Sequence, residues 1–135
     1  MNHVDPSREN WALFKSLPRD TPIHLLNMIR YRDVAAYPEG HALAGQGLSG
    51  EAAFAEYLAV VVPFIERLGG GLVWNQPFEC MMTGPATFEW DRVFVMGFPH
   101  AAAFMALVTD PAYKAEVVVH RSAAVLDSRL VRFGG

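Results

Sequence analysis

Trp90-Asp91-Arg92-Val93-Phe94-Val95-Met96-Gly97-Phe98, with Pro99 directly after it, is dominated by β-branched and aromatic side chains. That composition reads as a strand. Pro99 stops it and opens a helix from His100 to about Val108. Downstream, Asp110-Pro111 starts a further helix through Tyr113, Val117, Arg121 and Ala124, and Val125 to Phe133 forms a last strand. Upstream, Thr83-Gly84-Pro85 is a turn, and Leu72 to Gln76 is a strand closed by Pro77, with a pattern that allows an extension from Phe78 to Met82. Ahead of it, Ser49 caps a helix whose apolar stripe is Phe54, Tyr57, Leu58, Val61, Phe64, Ile65 and Leu68. Pro63 should bend that helix, and Gly69-Gly70-Gly71 ends it. Ile23 to Arg30 is the first strand. Strand, helix, strand, strand, helix, strand is the order of an α+β, ferredoxin-like βαββαβ sandwich.

Two segments lie outside that unit. Asp5-Pro6 is a helix start, Trp11, Phe14 and Leu17 recur at helical spacing, and Pro18 closes the segment. Residues 1–22 therefore read as a helical extension packed on a domain spanning 23–135. Asp33 to Ser49 is rich in Gly and Ala, contains Pro38 and keeps no period, so it reads as a loop of functional or mobile length.

In such a sandwich both helices cover one face of the sheet. The first and third strands are nevertheless apolar on both parities, so both faces require burial. A second copy lying on the open face satisfies this requirement, because a monomer would expose too large an apolar patch. A homodimer is expected.

The 135 residues suffice for one domain; 52% are hydrophobic and 19% charged, which excludes disorder. A net charge of -3 argues against a nucleic-acid partner, since a phosphate binder needs a Lys/Arg excess. The single Cys80 cannot close an intrachain disulfide and fits a reducing compartment. With a polar N-terminus and no apolar run of membrane-spanning length, the chain reads as cytoplasmic and not bound to a membrane.

Five short motifs fall in one order: Leu26 to Arg32, Glu56-Tyr57, Leu68 to Trp74, Trp90 to Val93 with Phe98-Pro99, and Asp110 to Tyr113. In this order, from about Ile23 to Arg132, the chain resembles an uncharacterised bacterial domain-of-unknown-function family of the dimeric α/β-barrel superfamily. The resemblance implies a ferredoxin-like protomer, a homodimer whose two sheets form a barrel, and a pocket between sheet and helices or at the barrel mouth. It implies no settled activity: superfamily relatives include cofactor-free monooxygenases, muconolactone-isomerase-like enzymes, polyketide cyclases and haem enzymes resembling chlorite dismutase. The N-terminal helix and the long loop depart from its pattern.

Several residues carry potential chemistry. Asn27 and Arg30 interrupt an apolar strand, and burying either without a partner is costly. Either they meet a ligand, Arg30 offering its fork to a carboxylate or enolate oxygen, or Asn27 bonds a nearby loop and Arg30 lies in water. Asp91 points away from Trp90 and Arg92. It is either a general base or one half of a structural ion pair with an arginine such as Arg121. His100, at a helix start, is a second acid/base candidate or an exposed residue without a duty. Tyr57, Trp74 and Tyr113 suit an aromatic or unsaturated ligand, and equally an ordinary core. No His pair has metal-ligand spacing and one Cys makes no thiolate site, so no metal or cofactor is expected; a haem on a lone His is the one arrangement the residue types still accommodate.

Two functions follow. One is a cofactor-independent enzyme moving a proton on a small oxygenated molecule, with Asn27 and Arg30 holding the anion, Asp91 or His100 moving the proton, and Tyr57, Trp74, Trp90 and Arg121 lining the site. The other is a non-catalytic dimeric carrier or sensor of a hydrophobic metabolite. A titratable group converging with Arg30 on one cavity favours the enzyme, a purely apolar cavity favours the binder, and an interaction module follows if Tyr57, Trp74 and Trp90 all fill the core.

Overall fold

The computed structural model describes residues 2–134. Helix α1 (Arg8–Ser16) precedes strand β1 (Ile23–Tyr31), helix α2 (Gly50–Arg67) and strands β2 (Gly71–Pro77) and β3 (Arg92–Phe98). Helices α3 (Ala101–Thr109), α4 (Pro111–Glu116) and α5 (Val118–Ala124) lead into β4 (Val125–Gly134). The sheet order is β2-β3-β1-β4 and every neighbouring pair is antiparallel. This is the ferredoxin-like arrangement expected of βαββαβ.

Period-two alternation divides the sheet into two unlike faces. Ile23, Leu25, Asn27 and Ile29 of β1 point to the helices together with Phe94, Met96 and Phe98 of β3. There they pack against Phe54, Tyr57, Val61, Phe64 and Ile65 of α2 and Phe104 and Leu107 of α3. Asn27 is the polar exception. The opposite face carries Leu26 and Met28 of β1, Val93 and Val95 of β3, and Val131 and Phe133 of β4. Val131 and Phe133 are 41% and 49% exposed. Among the described residues, no helix covers this face.

Four local readings need correction. Helix α1 starts two residues later than Asp5-Pro6 suggests, because the Ser7 hydroxyl, not the Asp5 carboxylate, accepts the Asn10 amide at 3.1 Å. The chain from Phe78 to Met82 does not extend β2; Phe78 instead donates its amide to the Asp91 carbonyl. Trp90 and Asp91 precede β3 and do not belong to it. The expected helix from Pro111 to Ala124 is two, broken at the fully buried Val117. As read from the sequence, Ser49 caps α2, its hydroxyl accepting the Ala52 amide, and α2 runs through Pro63 as one helix. Among the described residues, no helix is long and apolar enough to cross a membrane.

Residues 2–22 form a strap across the helix side of the sheet. At one end the His3 amide donates to Asp127 Oδ1 at 2.7 Å, and the Ser128 amide donates back to the His3 carbonyl at 2.6 Å. At the other end Arg132 donates to the carbonyls of Phe14 and Pro18, and Ala101 and Ala102 donate to those of Thr21 and Arg19. Between these anchors no residue of α1 is fully buried. Trp11 and Phe14 lie on Phe104 with ring centroids 6.2 and 5.5 Å away.

Candidate functional site

Beneath the strap, β1, α2, α4 and α5 bring five polar side chains to a cavity of about 440 Å³: Asn27, Tyr57, Tyr113, Lys114 and Arg121. Met96, Phe104, Val108 and Leu130 supply apolar wall, and Asp5 and Trp11 of the strap form its cover. An adjoining cavity of about 370 Å³ shares Asp5, Trp11, Phe104, Arg121 and Leu130 with it. Both sizes suit small-molecule sites.

Each polar group has a definite state. The Asn27 amide donates to the Leu25 carbonyl at 3.1 Å, which leaves its side-chain oxygen to accept from another partner. Burial pushes the Tyr57 phenol far above its ordinary pKa, with Tyr113 adding to the shift and Arg121 opposing it. Burial likewise raises Tyr113. Both hydroxyls therefore stay protonated at neutral pH and are donors. Arg121 Nη1 lies 3.3 Å from Asp5 Oδ1, and Nη2 lies 3.4 Å from Ser128 Oγ. Below the sheet end, Asp127 is held under the ordinary carboxylate range: burial alone would raise it, but the His3 amide, Arg129 and the Ser128 amide prevail.

The other candidates stand elsewhere. Arg30 lies on the opposite face from Asn27, because their positions differ by three and an odd spacing reverses the side of a strand. Its Nε donates to the Glu89 carbonyl at 3.2 Å, and its guanidinium lies 5.5 Å from the Trp90 ring centroid. Trp90 is buried, with Arg129 at 5.1 Å from the same ring, and its indole N–H has no partner. Trp74, on edge strand β2, is 42% exposed. Asp91 does not pair with Arg121; its Oδ2 accepts the Tyr31 amide at 2.7 Å, and its own amide donates to the Ile29 carbonyl, so it fastens the end of β1. His100 is exposed and caps α3, Nδ1 accepting the Ala103 amide at 3.1 Å. Asp91, His100 and Arg30 thus do not converge with Asn27, Tyr57 and Arg121.

A second cluster escaped sequence reading. Tyr37 Oη and His120 Nδ1 are 2.7 Å apart, the Tyr37 ring stacks on His41 at 4.7 Å, and the two imidazoles meet edge-on at 5.9 Å. It ties the irregular segment from Asp33 to Ser49 to α5, assisted by the Ala36 amide donating to the Ala123 carbonyl at 2.9 Å. That segment lines neither cavity. Burial lowers the His120 pKa; Glu56 pulls it back up and His41 adds to the lowering. A histidine depressed in the fold stabilises it above the unfolded pKa, and that contribution is lost as pH falls through the folded value. Hydrogen exchange at the Ala36 amide, corrected for intrinsic rate, should therefore quicken between about pH 7 and about pH 5. The His120→Gln variant should not show the change; an identical pH response in that variant would contradict the assignment.

Among the described residues, no group of three His, Cys, Asp or Glu side chains is arranged to hold a metal ion. The profile of a family described as "Domain of unknown function (DUF1330)" matches residues 39–133. The structure of RPA0582, a protein of unknown function from Rhodopseudomonas palustris, is similar at 43% identity and TM-score 0.87, over 100% of this chain and 98% of that one. Its methylated form matches at 44% identity and TM-score 0.87, over 99% and 95%. SnoaB, a cofactor-independent oxygenase from Streptomyces nogalater, shares the fold at 12% identity and TM-score 0.50, over 85% of this chain and 93% of that one. No curated protein matches the chain.

Proposed function

Because the chain belongs to the DUF1330 family, a domain of unknown function, the site and not the family must supply the activity, and we propose that it is a dimeric binding protein for a small, largely apolar, oxygen-bearing molecule. The observation that carries this reading is the convergence of Asn27, Tyr57 and Arg121 on one covered cavity with apolar walls. Two neutral phenols donate, the Asn27 oxygen accepts, and Arg121, with Arg8 and Lys114 of the same lining, supplies positive charge.

Binding is preferred to proton transfer for a chemical reason. Asp5 is the sole carboxylate of the cavity lining, it is paired with Arg121, and no histidine lines the same space. Tyr57, kept protonated by burial, is a donor and a poor base. The reading requires no cofactor. The uncovered apolar sheet face supports a second copy as the partner, and the helical extension of residues 1–22 acts as a cover added to the domain of 23–135.

Ligand-observed NMR and calorimetry with 2-naphthol test the cavity. The wild-type chain should bind it, and Tyr57→Phe and Asn27→Leu should each weaken binding about tenfold, the value of one lost hydrogen bond at about 1.4 kcal/mol. Wild-type affinity in both variants would remove the cavity from the reading.

A further inference from the structure

Asp5 stands in a position its local sequence does not explain. Ser7 performs the capping duty that Asp5-Pro6 advertised, so the Asp5 carboxylate takes no part in the cap and reaches instead to Arg121, 116 residues away in the chain. The pair is unequal. Arg121 is 18% exposed in its side chain, whereas Asp5 is 79% exposed. A mostly hydrated carboxylate at 3.3 Å holds a guanidinium weakly. The strap that carries Asp5 is fastened at His3 and again beyond Phe14, and the stretch between the anchors lines both cavities without a fully buried helix residue.

We infer that the Asp5 carboxylate occupies the place of the ligand's own anionic group, and that the ligand is a monocarboxylate with an apolar body which binds by displacing Asp5 from Arg121. This rests on the cavity reading above and narrows it to one ligand class. The incoming carboxylate takes the Arg121 fork from inside the cavity, where less water screens it. The apolar body lies along Met96, Phe104 and Val108, and the Tyr57 and Tyr113 hydroxyls point donors at any further oxygen. Displaced Asp5 returns to water, in which it is already largely immersed. The strap therefore competes with the ligand through one charge, and releasing that charge opens the cover without unfastening either anchor.

The test compares 2-naphthoate with neutral 2-naphthamide on the full chain. Asp5→Asn, which keeps the shape and removes the competing charge, should tighten 2-naphthoate about threefold and leave 2-naphthamide unchanged. Arg121→Gln should remove most of the preference for acid over amide, Arg8 and Lys114 of the same lining accounting for any remainder. On the unsubstituted protein, the Asp5 side-chain carboxyl carbon resonance should move on addition of 2-naphthoate and stay in place with 2-naphthamide, a readout independent of how the variants fold. Unchanged or weaker 2-naphthoate binding in Asp5→Asn, equal binding of acid and amide by the wild-type chain, or an unmoved Asp5 resonance at saturation would overturn the inference. If 2-naphthol still binds in a Tyr57-dependent way, the cavity reading survives that failure; if none of the three compounds binds, both fall together.

Discussion

Leu26→Glu is expected to abolish the proposed dimer, leaving a monomer at micromolar concentration. Leu26 is paired in register with Val95 on one side and Val131 on the other, in the middle of the sheet face that no helix covers. Around it stand Met28, Val93 and Phe133, with Val73 and Trp74 of β2 both more than two-fifths exposed. A second sheet laid on this face would strip water from a carboxylate at position 26, a cost of several kcal/mol. The dissociation constant should rise by roughly a thousandfold or more, which corresponds to about 4 kcal/mol. Sedimentation equilibrium measures it directly. The cavity under the strap lies on the other side of the sheet, so the variant should still bind 2-naphthol. A wild-type chain that sediments as a monomer, or a Leu26→Glu chain that remains dimeric, would refute the assignment of this face.

Gly50→Ala is expected to destabilise the protomer by about 3 kcal/mol, the upper part of the usual range for overpacking. Gly50 opens α2 where it crosses the end of β1, and its amide donates to the Arg32 carbonyl at 3.0 Å. A Cβ there would overlap that carbonyl oxygen outright and approach the Arg32 nitrogen to 2.7 Å. Main chain cannot rotate aside as a side chain can, so either the hydrogen bond or the entry of α2 must shift. The thermal midpoint should fall by roughly 10 °C. Gly71→Ala is the matched control, since a Cβ at Gly71 meets nothing within 4 Å. Equal midpoints for the two variants would show that the crossing yields more readily than its geometry suggests.

Strand order and the two unlike sheet faces were legible because they depend on period and punctuation, both local properties of the chain. Asn27 and Arg30, set around one anion in the sequence reading, should have been parted by the same local rule. Alternation separates Asp91 from Trp90 and Arg92, and the same rule applied to positions 27 and 30 sets them on opposite sides. Cap choice was ambiguous for a physical reason: Asp5-Pro6 and Ser7 are both sound helix starts, and the pull of Arg121, 116 residues away, is invisible from the N-terminus. The Tyr37, His41 and His120 cluster had no local signature, since His120 reaches the others only when α5 packs beside the irregular segment. Phe78 to Met82 has strand-like composition, but the Phe78 amide is taken by Asp91 and the ladder stops at Pro77.

The bond between Ser128 and His3 has a consequence for solubility. β4 ends the sheet and would otherwise present bare amides and carbonyls to any passing chain, the usual start of edge-to-edge aggregation. The first residues seal part of that border from within the same molecule, the His3 carbonyl taking the Ser128 amide. Trimming the N-terminus would thus uncover more than a cavity. It would leave a sticky margin beside Asp127 and Ser128, and shortened versions of the protein should be the ones that precipitate.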